Sequence, residues 1–235
     1  MYEMFSKVYD EMVESENVRA YERIKRFLEK HNFNGEYIIE LACGTGNMAL
    51  KFAEDGYMVY ATDISGSMIE KAKRKNKYDN CRFEVKDMRY VHTKEKADMV
   101  YCVLDGMSYI SDKNEIKEII KNVSSMLKKD GYFIFDFISF DSYEKIYKVL
   151  DVEQKYVDIN DRNTIFWAEE YEKNKIEVSM LIYEKCKNNR FKVYKEVQEQ
   201  YMHNDKDILE YVNNCFDIEE MKTEDIRTTI YCRKR

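Results

Sequence analysis

The 235-residue chain contains no proline, only seven glycines, one tryptophan and three histidines. Without proline there is no PxxP ligand segment and no cis-proline turn. The Asn-Pro-Pro-aromatic site of nucleic-acid amino-methylases and the Pro-Cys-x-x-Cys of zinc deaminases are excluded as well. The six cysteines, at positions 43, 81, 102, 186, 215 and 232, form no C-x-x-C pair and match no zinc spacing. Several lie in apolar runs, where free cysteine packs as a small hydrophobe, so a reducing cytoplasm is expected. No apolar stretch approaches the ~20 residues of a membrane span. The N-terminal residues are acidic and amphipathic, unlike a secretory leader. A net charge of -6 weighs against a general nucleic-acid binder. The basic run Lys71, Lys73, Arg74, Lys75 and Lys77 is expected to be a solvated helix face.

What remains is 44% hydrophobic and 14% aromatic, enough for a large core. Residues 5–14 and 18–30 carry helical periodicity and predict two helices, the second burying Ala20, Ile24, Phe27 and Leu28. Strands are expected at 37–42, 58–63, 82–87, 97–104 and 132–138, with helices at 47–55, 65–76 and 113–129 between them. Gly131 is expected to close the last of these helices. Strands alternating with helices predict an α/β fold, a doubly wound and mostly parallel sheet. From 152 to 203 the period becomes that of strands, as in Ile176, Val178, Met180 and Ile182. About four antiparallel strands are expected there, with a hairpin turn at 187–190. A helix at 205–215 and strands at 216–221 and 228–233 complete seven core strands. The expected division is a cofactor-binding core over 1–151, an inserted antiparallel lid over 152–203, and the core's last elements over 204–235.

Chemistry concentrates in the loop after the first strand. Glu40-Leu-Ala-Cys-Gly-Thr-Gly46 leads into a helix, and its glycines let bare backbone approach a ligand. Asp63 ends the second strand, where a carboxylate can accept both ribose hydroxyls. A nucleoside-bearing cofactor at the carboxyl edge of the sheet follows. Gly44-x-Gly46-x-x-Ala49 satisfies the relaxed dinucleotide pattern, so NAD is one reading. Glu40 lies just before the loop, where it would repel a pyrophosphate and suit a ligand carrying an ammonium group, as S-adenosylmethionine does.

Five ordered stretches carry a resemblance. YIIELACGTGNMAL from Tyr37 resembles motif I of the class I S-adenosylmethionine-dependent methyltransferases. ATDISGSMIEKAK, VKDMRYV, the stretch Leu104 to Tyr109 and LKKDGYFIFDF resemble the motifs that follow. Val8-Tyr9-Asp10 and the inserted strands resemble a bacterial small-molecule-type subfamily. The resemblance implies a Rossmann-like methyltransferase fold with S-adenosyl-L-methionine as cofactor, S-adenosyl-L-homocysteine as product, and no metal. It implies cofactor contacts at Tyr9, Glu40, Ala42, Cys43, Gly44, Thr45, Gly46, Asp63, Ile64, Met68, Asp87, Met88 and Leu104. Ala42 replaces the first glycine of the loop, a minor departure if φ stays negative there. Gly106 and Ser108 depart from the subfamily's pattern, and the segment 222–227 is short by comparison.

Methyl transfer is an in-line displacement that needs positioning above all, worth ~7–11 kcal/mol. No residue stands out as a base; Tyr9, Tyr109 and His203 are the candidates. Asp105, Tyr109, Trp167, Tyr201 and His203 are expected to face the acceptor. His31 and His92 are expected to be structural or solvated. The expected function is methylation of a small molecule, on nitrogen before oxygen, by a monomer or weak dimer without membrane or nucleic-acid partners. A non-catalytic S-adenosylmethionine-binding regulator and an RNA or tRNA methyltransferase are the alternatives.

Overall fold

A computed structural model describes residues 5–147, 155–158, 163–187 and 190–235. The first element is a single helix, α1 (Phe5–Lys30), not the two expected. No glycine or proline interrupts the region of residues 15–17, and buried Asn17 returns its amide to Val13 O at 3.0 Å, so the helix runs through. Its first half packs Phe5 and Val8 against the inserted strands, while Ala20, Ile24, Phe27 and Leu28 enter the core of the main sheet.

Then come β1 (Tyr37–Leu41), α2 (Asn47–Glu54), β2 (Met58–Asp63), α3 (Gly66–Lys75) and β3 (Cys81–Val85). They are followed by β4 (Ala97–Cys102), α4 (Lys113–Met126), β5 (Leu127–Ile138) and α5 (Phe140–Tyr147). Helix α5 falls at the junction with the insertion and was not expected. The chain ends with α6 (Asp205–Val212), β10 (Phe216–Glu224) and β11 (Arg227–Lys234). The seven-stranded sheet has the order β10-β11-β5-β4-β1-β2-β3, with β5 through β3 parallel and the last hairpin antiparallel. Ile38, Ile39 and Leu41 on β1 and Val100 and Tyr101 on β4 are fully buried, as strands covered on both faces require.

Four strands, β6 (Lys155–Asp158), β7 (Asn163–Glu172), β8 (Lys175–Lys185) and β9 (Phe191–Tyr201), form the separate antiparallel sheet. Ile176, Val178, Met180 and Ile182 are its buried face. Asn188 and Asn189 of the expected hairpin turn, and the boundary at 151–152, lie outside the described residues; Cys186 N donates to Arg190 O at 2.7 Å across that turn.

Gly131 does not close α4. The chain leaves the helix after Met126, and the left-handed turn falls on Asp130 at φ 62°. Gly131 is needed for space: a Cβ there would meet Asp98 O at 3.0 Å. All six cysteines are free, and four of them are buried.

Candidate functional site

The switch in strand order lies at β1, between β2 and β4, so the loops leaving β1, β2 and β4 diverge around one crevice. The inserted sheet and the start of α1 close it into a cavity of about 690 Å³. Tyr9, Ala42, Gly44, Asp63, Ile64, Met68, Asp87, Met88 and Leu104 line it, as do Asp105, Tyr109, Trp167 and Tyr201.

The loop after β1 turns on three left-handed residues, Ala42 (φ 54°), Gly44 (φ 53°) and Gly46 (φ 77°). Ala42 therefore lacks the negative φ that would make it a minor departure. The alternation of this loop demands the left-handed conformation at that position, at a cost of ~1–2 kcal/mol for a residue with a Cβ. Ala42→Gly should raise stability by about 1 kcal/mol, read from the urea midpoint of otherwise identical preparations. A lower midpoint would show that the methyl group's contact with Gly106 outweighs the backbone strain.

Asp63 fixes this loop to β2. Its Oδ2 accepts the Gly44 N–H and its Oδ1 the Ser65 N–H, both at 2.8 Å. Burial raises its pKa, with the Ser65 and Gly44 amides opposing. Asp63 also lines the cavity. Tyr9 lies over the same loop, and a Cβ on Gly44 would meet its ring at 3.3 Å. Desolvation drives the Tyr9 phenol far above its ordinary pKa, so the phenol stays protonated near neutral pH.

Asp10, the neighbour of Tyr9, anchors α1 to the loop. It accepts from Thr45 Oγ1, from Asn47 Nδ2 at 3.0 Å and from Lys75 Nζ at 2.9 Å. Lys71 Nζ donates to Ser6 O. Two members of the basic run thus hold α1 in place and are not simply solvated.

Glu40, Cys43, Thr45 and Gly46 do not line the cavity. Glu40 is 5% exposed behind the loop, and burial pushes its pKa up to about 8, with Tyr101 and the Ala49 amide opposing. Burial therefore weakens the repulsion that Glu40 would exert on a pyrophosphate. Cys43 is buried, and Thr45 is committed to Asp10. A Cβ on Gly46 would strike the Phe83 ring at 2.5 Å, so this glycine serves packing as well as the turn.

His203 is likewise outside the cavity lining. It is 5% exposed at the end of the inserted sheet, where its N–H donates to Ile138 O at 2.9 Å and its carbonyl accepts Phe140 N at 2.9 Å. Desolvation lowers its pKa to about 4, against a contribution from the Met107 backbone. A neutral imidazole packed near Phe137 makes it a structural junction, which corrects the expected acceptor contact.

Three carboxylate environments were not foreseen. Asp87 is gripped by Arg89, whose Nε lies 3.0 Å from both oxygens and whose other nitrogen reaches Glu115 at 2.8 Å. That hydrogen bonding to Arg89 lowers the Asp87 pKa. Asp105 is held by Arg227 through two bonds of 2.7 and 2.6 Å, so its carboxylate is engaged by the protein itself. Beneath both, Asp136 is 1% exposed and accepts Leu104 N and Asp105 N at 2.8 Å each. Those two residues adopt φ 64° and 69°. An acid between two phenylalanines in strand FIFDF was the one available sign of Asp136; Arg227 carried none.

The residues expected on the acceptor side come from elements distant in sequence. Tyr109 Oη donates to Gln198 Oε1 on β9 at 2.9 Å. The Trp167 indole is fixed by Glu169 Oε1 at 2.7 Å, and Tyr201 Oη donates to Glu199 at 2.9 Å.

This sheet order, glycine loop and strand-end aspartate are the features that the resemblance to class I S-adenosylmethionine-dependent methyltransferases implies. Residues 38–131 match the family model described as a methyltransferase domain. A Bacillus subtilis (strain 168) protein named as a methyltransferase, YqeM, is 30% identical over 138 residues, 58% of this chain and 55% of its own length. The chain thus spans little more than half the length of the curated relatives it matches. In fold it is similar to a S-adenosylmethionine-dependent methyltransferase from Clostridium acetobutylicum ATCC 824, with a TM-score of 0.84 at 24% identity over 99% of this chain and 98% of that one. It is also similar to the sugar N-methyltransferase KedS8 from Streptoalloteichus sp ATCC 53650, with a TM-score of 0.78 at 15% identity over 92% and 86%.

Proposed function

We propose that the protein binds S-adenosyl-L-methionine in this cavity and methylates a small-molecule acceptor, on nitrogen in preference to oxygen. The observation that carries the reading is Asp63, whose two oxygens are oriented by the Gly44 and Ser65 amides at the mouth of a left-handed glycine loop. The fit is chemical as well as spatial. A carboxylate with spare lone pairs suits a ribose diol, and the bare Cα of Gly44 under Tyr9 leaves room for a chain running along the backbone. Asp87, held by Arg89, and Met88 provide an edge and a face for the base. When bound, the cofactor supplies an electrophilic methyl group on a sulfonium with a neutral leaving group.

The chain's own residues then orient the acceptor and exclude water. Tyr9 closes the loop side, and Trp167 and Val178 form an apolar wall on the inserted sheet. Six acidic residues and three basic ones line the cavity, so a cationic amine is favoured over an anion. An amine must lose a proton before attack, and solvent at the cavity mouth is the proton's route. Six free cysteines support a reducing cytoplasm, and among the described residues no helix is long and apolar enough to cross a membrane.

Calorimetric titration with S-adenosylmethionine, S-adenosylhomocysteine and NAD tests the reading. Micromolar binding of both sulfur compounds with no NAD binding is the expected result. Preferential NAD binding, or no binding of either sulfur compound, overturns it.

A further inference from the structure

Gln198 lies on β9, opposite Val178 of β8, with its side chain on the wall of the cavity. It is 8% exposed. Its Oε1 accepts the Tyr109 hydroxyl at 2.9 Å, while its Nε2 has no hydrogen-bond partner. A desolvated amide donor without an acceptor costs ~1–3 kcal/mol, and folded proteins keep few of them.

The position of the orphan donor says what it is for. Tyr109 belongs to the loop after β4, and Gln198 to the inserted sheet facing it, so the bond between them spans the cavity's two walls. Asp63 ends β2, and Gly44 and Met88 belong to the loops leaving β1 and β3. Trp167 and Val178 share the Gln198 wall. The Trp167 indole is fixed through its own N–H, which makes it a rigid apolar surface beside the amide.

We propose that Gln198 is a specificity-determining residue whose Nε2 donates a hydrogen bond to an oxygen of the methyl acceptor, a hydroxyl or a carbonyl, while Tyr109 positions the amide. This rests on the methyltransferase reading and narrows its acceptor to an oxygen-bearing, neutral or cationic molecule. A site built around a buried donor rejects an analogue lacking the matching oxygen, because the donor is then left unpaired.

The test uses the whole protein saturated with S-adenosylhomocysteine and two matched amines, trans-2-aminocyclohexanol and cyclohexylamine, titrated by calorimetry. Wild-type protein should prefer the amino alcohol by about tenfold or more. Gln198→Met should bring the two affinities within about twofold, with the S-adenosylhomocysteine affinity unchanged. Gln198→Glu keeps the Tyr109 bond and removes the donor, and it should lose the preference in the same way. Because both probes are amines, its added charge cancels in the ratio. Equal binding of the two probes by wild-type protein, binding of neither, or a preference that survives in both variants overturns the inference. Failure of wild-type protein to bind S-adenosylhomocysteine at all overturns the underlying reading instead.

Discussion

Asp63→Ala is expected to weaken S-adenosylmethionine binding by about a hundredfold or more, roughly 3 kcal/mol. The carboxylate does more than face a ribose. It ties the Gly44 and Ser65 amides at 2.8 Å, so its removal frees the loop that shapes the cavity and unsettles the start of α3, where Ser65 is the cap. Global stability should fall by less than affinity. Burial raises the pKa of Asp63, so ionising it carries a cost in the folded protein that the substitution removes. Asp63→Asn retains one acceptor oxygen and should lose only about tenfold. Calorimetric affinities paired with urea midpoints check both statements. Unchanged affinity in the alanine variant would mean that Asp63 does not meet the cofactor.

Arg227→Met is expected to lower the unfolding free energy by about 3–5 kcal/mol at pH 8, because it strands two carboxylates. Arg227 holds Asp105 through two bonds and lies 4.0 Å from Asp136, which is almost fully enclosed. Burial first, and then Asp105, raise the Asp136 pKa, while Arg227 opposes. A carboxyl whose folded pKa lies above its unfolded value favours the fold below about pH 4 and loses that contribution as pH rises through the folded value. Without Arg227 the folded pKa climbs further. The loss should therefore be larger at pH 8 than at pH 5, and urea unfolding at the two values measures it. A pH-independent loss would locate the effect in packing of the arginine stem alone. Cofactor affinity should also drop, since Leu104 and Asp105 hold their left-handed turn through Asp136.

Much of the fold was legible because its determinants are local. The apolar runs at β1 and β4, the period of α4 and the alternation along β8 each encode an element through neighbours a few residues apart. The same holds for Gly44, Gly46 and Asp63, which sit where one strand ends and the next turn begins. Errors arose where a local sign stood for a nonlocal cause. Polar residues 15–17 resembled a helix break, yet burial of Asn17 under the fold kept α1 whole. Gly131 resembled a helix stop, yet Asp130 takes the turn and the glycine answers to Asp98 across the sheet.

By itself the sequence determined the alternation of core strands with helices, the glycine loop and the acid at the end of β2, since each follows from backbone preference and periodicity over a few residues. Only the tertiary structure decided the charge states and partners within the cavity. Asp105 is spoken for by Arg227, 122 residues away, and Tyr109 by Gln198, 89 residues away. His203 is turned inward, and enclosure raises the pKa of Glu40. Whether a polar side chain is free to meet a ligand depends on which distant group reaches it first and on how much water remains, and both are set when the sheets close over one another.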